Sequence, residues 1–450
     1  MTDPAASALS VIEWRGVGTS WIVCTAERDL RERRPVRKIV MSGLLALVVL
    51  AVAGGNALSA AAAPLAPVAA LAPLAPLAAL RAGSSASAFV ISGKMSCGTP
   101  NSCLAIAGNG SKSGGLAQVV EAWNGTAWRS IAGPAPKPAA GRVYLAAVSC
   151  KSATACVVVG GYVTSGRAGT ERPYALSWNG RSLTPTAAPP VPKGGGFTSL
   201  TGVSCITTTT SCVAVGDSQG GAGPLIVETW NGAKWTLQTA RIPGGARSAY
   251  PGAVSCHFAT FCVVAGESYS SIAGAPSMLL ARWNGKGFTT MKAPVPAGAA
   301  NITLNDISCP SETFCGVAGF SAGSSAKRDF GFAEMWNGKS WTADKVAAPN
   351  GKAGSFLFGM SCRPSGFCVA VGSAGSSAAA RATALSYHGK TWAAQNVPGP
   401  GPGKSSDFFG VNCLRDNQCT AIGETVAPVT ATATPLGGLW NGGSWRLVAA

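Results

Sequence analysis

The chain predicts an all-β fold. It reads as a seven-bladed β-propeller of four-stranded antiparallel blades, preceded by a signal peptide and an Ala/Pro-rich linker. Three observations predict this. A Cys-containing unit recurs seven times, with leading cysteines at Cys97, Cys150, Cys205, Cys256, Cys309, Cys362 and Cys413, spaced 53, 55, 51, 53, 53 and 51 residues apart. Each unit breaks into short β-branched or aromatic runs separated by turn residues. No helical periodicity competes with this pattern after Phe89. A strand-rich period of this length, repeated this often, is the signature of a ring of blades.

The second repeat shows the order of elements. Tyr144 to Cys150 is an apolar run, and Cys156 to Gly160 is β-branched and closed by glycine. Tyr174 to Trp178 ends at Asn179-Gly180, and a last run from Ser182 to Ala187 stops at Pro189, Pro190 and Pro192. Asn-Gly recurs at Asn124, Asn231, Asn284, Asn337 and Asn441, and is expected to supply the positive φ angles of a tight hairpin. The sixth repeat has His388-Gly389 there instead. One four-stranded sheet cannot bury both faces alone, whereas stacked blades can. The periodic pairs Trp123/Trp128, Trp178/Leu183, Trp230/Trp235, Trp283/Phe288, Trp336/Trp341, Tyr387/Trp392 and Trp440/Trp445 are therefore expected to pack between blades rather than to hold ligand.

The β-branched strand closed by Gly160-Gly161, the aromatic strand end and the aromatic across the turn resemble the kelch-type repeat. The Trp-Asn-Gly-x-x-Trp turn is similar to the Asp-box turn of sialidase-like propellers, without its aspartate. Both resemblances imply a propeller and carry no activity with them. The paired cysteines resemble those of secreted bacterial repeat proteins.

Fourteen of the 15 cysteines fall into seven pairs. Cys97 pairs with Cys103, Cys150 with Cys156, Cys205 with Cys212 and Cys256 with Cys262. Cys309 pairs with Cys315, Cys362 with Cys368 and Cys413 with Cys419. Each pair brackets the turn between first and second strands, where a cross-strand disulfide can form. Zinc would need four ligands from neighbouring segments, and the chain has only two histidines. No metal or cofactor is expected.

The odd cysteine, Cys24, precedes a basic stretch, Arg31 to Lys38, and an apolar run, Ile39 to Ala53. That is the grammar of a secretory signal, with small residues from Ala57 to Ala63 offering cleavage. Cleavage would remove the odd thiol and place the protein outside the cytoplasm; the alternative is an uncleaved signal anchor. The expected organisation is 1–59 extension and signal, 60–88 linker, and 89–450 propeller. The repeats lie near 89–141, 142–196, 197–247, 248–300, 301–353, 354–404 and 405–450.

The formal net charge of +17 favours an anionic partner such as a wall polymer, a glycan or an acidic protein surface. Outside the cell, nucleic acid is disfavoured. Catalytic constellations are thin. His257 and His388 both fall in lower-face turns, and Arg241-Ile242-Pro243 imitates a sialidase motif at a position where proline recurs.

Position in the blade is the better guide. The repeated features, disulfides and Trp-Asn-Gly turns, are expected to cap the lower face, so variation concentrates on the upper one. Immediately after the second-strand glycine come Asn109, Gly161, Asp217, Glu267, Phe320, Ser373 and Glu424. Tyr162, Tyr269, Arg167, Arg172, Lys327, Arg328 and Arg381 lie further out. Diversity on a rigid repeat marks a recognition surface. The ligand-binding candidates are Asn109, Asp217, Glu267, Glu424, Tyr162, Tyr269, Arg172 and Lys327. Two functions follow: a secreted, non-enzymatic binding propeller, or a carbohydrate-active hydrolase or lyase using the upper carboxylates. Glu121, Glu228 and Glu334 stand two residues before their Trp, share its face, and are expected to pair with a basic residue of the next blade.

Overall fold

The computed structural model describes residues 10–16, 19–25 and 89–449, apart from the loop segments 111–115, 137–139, 165–169, 219–220, 272–275, 300, 323–328, 346–353, 376–378 and 428–432. The signal segment, the linker, Arg167, Lys327 and Arg328 lie outside the described residues. At the N-terminus β1 (Ser10–Gly16) pairs antiparallel with β2 (Thr19–Thr25), placing Cys24 opposite Val11. Among the described residues no helix is long and apolar enough to cross a membrane.

Residues 89–449 form seven four-stranded antiparallel sheets, each built from consecutive strands. The blades span 89–132, 140–185, 198–240, 248–290, 301–345, 355–395 and 405–449. The first strand of each blade packs on the first strand of the next, and the seventh returns to the first, so the ring closes without strand exchange.

Seven apolar layers hold the ring, one between each adjacent pair of blades. Between the first and second blades, for example, Leu104, Ile106 and Val120 meet Leu145, Val158 and Leu176. Both faces of every sheet are thus covered by a neighbour, which explains the β-branched runs without polar alternation.

All seven expected disulfides form, with Cα separations of 3.9 to 4.1 Å. Cys97 is bonded to Cys103, Cys150 to Cys156, Cys205 to Cys212 and Cys256 to Cys262. Cys309 is bonded to Cys315, Cys362 to Cys368 and Cys413 to Cys419. In six blades the bonded cysteines are register partners. In the fifth, Cys309 and Cys315 fall within a register shift.

The expectation that these bridges cap the lower face needs correction. The second cysteines, Cys103, Cys156, Cys212, Cys262, Cys315, Cys368 and Cys419, are at most 3% exposed. They lie inside the layers between blades, because the second strand of each blade is covered on both sides. The solvent-facing cap is left to the turn residues. Each second cysteine faces the third-strand aromatic, as Cys212 faces Trp230, and that aromatic faces a fourth-strand ring, as Trp230 faces Trp235, except in the second blade, where Trp178 faces Leu183. The Trp230 and Trp235 centroids lie 5.2 Å apart.

The turn between these rings is longer than a two-residue hairpin. Asn231 to Lys234 form a four-residue loop closed by Asn231 N–H donating to Lys234 O. Gly232 takes a positive φ of 99°. The asparagine works through its side chain: Asn231 Oδ1 accepts from the N–H groups of Ala233 and Lys234, both at 2.9 Å. Such side-chain mimicry of a backbone turn is the asparagine speciality.

The second-strand glycine has a different cause. Each first strand carries a bulge, between Leu200 and Gly202 in the third blade and between Leu357 and Gly359 in the sixth. A Cβ on Gly216 or Gly372 would strike the carbonyl oxygen of Ser199 or Phe356. Glycine is therefore required where the bulged inner strand closes on the second.

The serine before each leading cysteine joins one blade to the next. The N–H of Cys150 donates to Ser96 Oγ at 2.8 Å, and that of Cys205 to Ser149 Oγ at 2.9 Å. The same bond links Cys256 to Ser204, Cys309 to Ser255, Cys362 to Ser308 and Cys413 to Ser361. The seventh blade has Asn412 instead, and its buried Oδ1 has no partner among the described residues. Ser204→Ala should cost about 1–2 kcal/mol by orphaning one amide between blades. Denaturant unfolding checks this; an unchanged midpoint would show that water serves the Cys256 amide equally well.

Candidate functional site

At the upper end of each blade the second strand continues past its glycine and stays paired. The candidate residues are therefore strand residues with fixed partners, not tips of solvated loops. Asn109 faces Phe89, Gly161 faces Tyr144 and Asp217 faces Ser199. Glu267 faces Tyr250, Phe320 faces Thr303, Ser373 faces Phe356 and Glu424 faces Asp407. Asn109 is placed by its backbone alone.

An acidic and tyrosine-rich cluster joins blades two to five. Glu267 is held on both oxygens: Tyr269 Oη donates to Oε2 at 2.7 Å, and Thr303 Oγ1 of the next blade donates to Oε1 at 2.8 Å. Burial, then the bond to Glu267, pushes the Tyr269 hydroxyl far above the ordinary phenol range. The Tyr250 ring stands edge-on to Tyr269 at 5.8 Å and is 38% exposed. Burial raises the Tyr250 hydroxyl, and the carboxylates of Asp217 and Glu267 raise it further.

Asp217 accepts from Ser199 Oγ at 3.4 Å. Burial lifts its carboxyl above the usual range, against the lowering effect of hydrogen bonds from Gly221 N–H and Ser199. Glu171 of the second blade is also raised, first by burial and then by the charge of Asp217; it too is bonded by Ser199. Beside it Phe197, bridged to Glu171 through the backbone, is 54% exposed. Two half-buried carboxyls thus share one hydroxyl, with Asp217 near the exposed ring of Tyr250.

Across the mouth, blades five to seven contribute an aromatic wall. Phe356 and Phe358 stack at 6.1 Å, Phe320 meets Phe356 at 5.0 Å, and Phe409 meets Phe358 at 5.5 Å. All four rings are partly exposed. Asp407, opposite Glu424, is raised by burial and lowered by a hydrogen bond from Ser373.

Below the mouth, the channel is crossed by an ion pair. Lys94 Nζ of the first blade lies 3.2 Å from Asp306 Oδ1 of the fifth. The other Asp306 oxygen accepts from Met360 N–H at 2.9 Å. The channel around this pair is lined by all seven first strands, with a free volume of about 160 Å³.

Asp217, Glu267 and Tyr269 gather in one cluster, while Glu424 lies in the seventh blade. Other placements differ from expectation. Tyr162 packs edge-on against Tyr174, whose hydroxyl donates to Pro134 O, so it belongs to the layer between the first two blades. Arg172 pairs with Tyr162 in register, one residue from Glu171. Among the described residues the mouth gathers partly buried carboxylates, with the charge of Arg142 acting on Glu171. Glu121, Glu228 and Glu334 find no basic partner among the described residues. Glu121 accepts from Ser130 Oγ in its own blade, and Glu228 and Glu334 are fully buried with neither oxygen bonded. Sequence reasoning missed Ser199, Tyr250, Thr303, Phe356 and Asp407. Each stands six residues before its leading cysteine, a spacing that would have found them.

No family model matches the chain, and no curated protein matches its sequence. Among solved structures, an ulvan lyase of a polysaccharide lyase family superposes with a TM-score of 0.53 at 8% identity, over 81% of this chain and 96% of that one. The fucose-binding lectin of Aleuria aurantia, a six-bladed propeller, gives a TM-score of 0.40 at 10% identity, over 81% and 95%. At such identities the likeness concerns the fold.

Proposed function

We propose that this chain is a secreted, non-enzymatic glycan-binding propeller whose upper mouth takes neutral or amino sugars at the cell surface. The observation that carries this is the rigid hold on Glu267 between Tyr269 and Thr303, beside the exposed ring of Tyr250. Sugar hydroxyls and ammonium groups donate to carboxylates, and the C–H faces of a pyranose stack on aromatic rings. A carboxylate already accepting on both oxygens is a fixed acceptor, poorly suited to shuttling protons. The carboxylates of Asp217 and Glu267 around Tyr250 disfavour an anionic sugar beside that ring. Seven disulfides fit an oxidising compartment.

The test is a glycan array probed with the purified, disulfide-bonded protein. Binding to neutral or amino-sugar glycans is expected, falling at least about tenfold, roughly 1.4 kcal/mol, in Tyr250→Ala and Glu267→Gln at unchanged melting temperature. Binding indifferent to both variants would refute the site.

A second reading has its own observation. Glu171 and Asp217 lie around Ser199, and the charge of Asp217 raises Glu171, an arrangement by which paired carboxyls divide acid and base roles. If polysaccharide is cleaved, and Glu171→Gln or Asp217→Asn stops it, a hydrolase or lyase replaces the binding protein.

A further inference from the structure

A second site lies away from the mouth, on the lower outer rim between the fourth and fifth blades. A groove of about 480 Å³ opens there between the outer hairpin of the fourth blade and the Asn-Gly turn of the fifth. Arg282, Lys292 and Lys339 line it together with Trp336, Thr289 and Thr290, and no carboxylate does. All three cations are exposed. Among the described residues none of their side chains makes a hydrogen bond or an ion pair.

The groove is no consequence of the repeat. The residue before the third-strand aromatic is Ala122, Ser177, Thr229, Met335, Ser386 or Leu439 in the other blades, and arginine only at Arg282. That arginine is pre-positioned: its guanidinium lies 4.8 Å above the Phe261 ring. Stacking on an aromatic face holds the plane and leaves the N–H edges for a ligand. Trp336 supplies the ring of the groove. Like Trp440 and unlike Trp123, Trp178, Trp230 and Trp283, it remains partly exposed; its indole N–H donates to Glu312 O at 3.1 Å, as those of Trp123 and Trp178 donate to Pro100 O and Ala153 O. The lower face, expected to be uniform, therefore carries here an arginine that the equivalent positions of the other blades lack.

We infer that this groove binds an anionic polysaccharide through a sulfate or phosphate ester. A tetrahedral ester anion presents several acceptor oxygens, which suits a guanidinium fork flanked by two ammonium groups. The indole face offers a stacking platform for the sugar carrying that ester. Thr289 and Thr290 add hydroxyls at the rim. This groove gathers cations with no carboxylate in its lining, so it accounts for an anionic partner without involving the upper face.

The test uses the purified, disulfide-bonded protein with dextran sulfate, phosphorylated dextran and unmodified dextran, followed by titration calorimetry at low and moderate salt. One or both anionic dextrans should bind, the tighter one identifying the ester, and unmodified dextran should not. Arg282→Glu and Lys339→Glu should each weaken binding by about tenfold or more and flatten its salt dependence. Tyr250→Ala should leave it unchanged, which separates this site from the mouth whichever of the two proves real. Lys234→Glu and Arg181→Glu, exposed cations in other lower turns, control for bulk charge. Equal losses in these controls, unchanged binding in Arg282→Glu, tighter binding of a single-stranded oligonucleotide, or no binding of either anionic dextran would each overturn the inference.

Discussion

Replacing Glu228 and Glu334 by leucine should raise the melting temperature strongly at about pH 9 and little at about pH 4. Both carboxyls are fully buried between blades with no hydrogen-bond partner among the described residues. Burial alone pushes each up to about 8 from an ordinary 4.5. Below the unfolded value both states carry the proton, and the groups contribute no pH dependence. As pH rises from 4.5 towards 8, the unfolded chain releases its protons while the folded chain keeps them. Stability then falls by roughly 1 kcal/mol per pH unit for each group, until the folded carboxyls ionise as well. The loss is complete above about 8, where the native state carries two buried, unpaired charges. Leucine is accepted at this position: Leu176 and Leu385 occupy it in the second and sixth blades, at 0% and 2% exposure. Glu121 should respond less, because Ser130 donates to it. Thermal melts across the pH range check this. Curves for parent and double variant that run parallel would mean that the two carboxyls titrate normally, for instance beside trapped water.

Reduction of the disulfides should unfold the propeller near room temperature. Each bridge closes a loop of six or seven residues, and in the chain-entropy model such a loop stabilises by roughly 2 kcal/mol. Seven of them, even if far from additive, rival the whole stability of a typical domain, about 5–15 kcal/mol. The bridges also pin register. In β-branched hairpins a slip of one residue would exchange the faces meeting the two neighbouring blades. Circular dichroism melts with and without a phosphine reductant measure the effect. A melting temperature unchanged after complete reduction, verified by thiol titration, would assign ring stability to the apolar layers alone.

Much of this molecule is legible one repeat at a time. The blade count, the order of four strands, the disulfide pairs and the Trp pairs are all short-range features. Cys205 and Cys212 meet across one hairpin, and so do Trp230 and Trp235. Period and turn chemistry specify such neighbours because the residues are already close along the chain. The upper-face carboxylates could also be marked as variable positions on a uniform scaffold.

What they touch could not be marked. Ser96 and its equivalents read as small polar residues beside cysteine, and their bonds run to the following blade. Cys103, Cys262, Cys315, Cys368 and Cys419 read as turn-bracketing residues, and only the neighbouring blades bury them. Ser199 serves two carboxylates, one from its own blade and one from the blade before. Glu228 and Glu334 look like ordinary charged strand residues until the preceding blade covers them. Lys94 and Asp306 are 212 residues apart and meet only because the ring has closed. Local sequence dictates the repeating unit, since each blade's pairings are short-range and cost little loop entropy to form. Which polar groups end buried and paired is settled by ring closure alone, because it depends on how blades distant in sequence stack around a common axis.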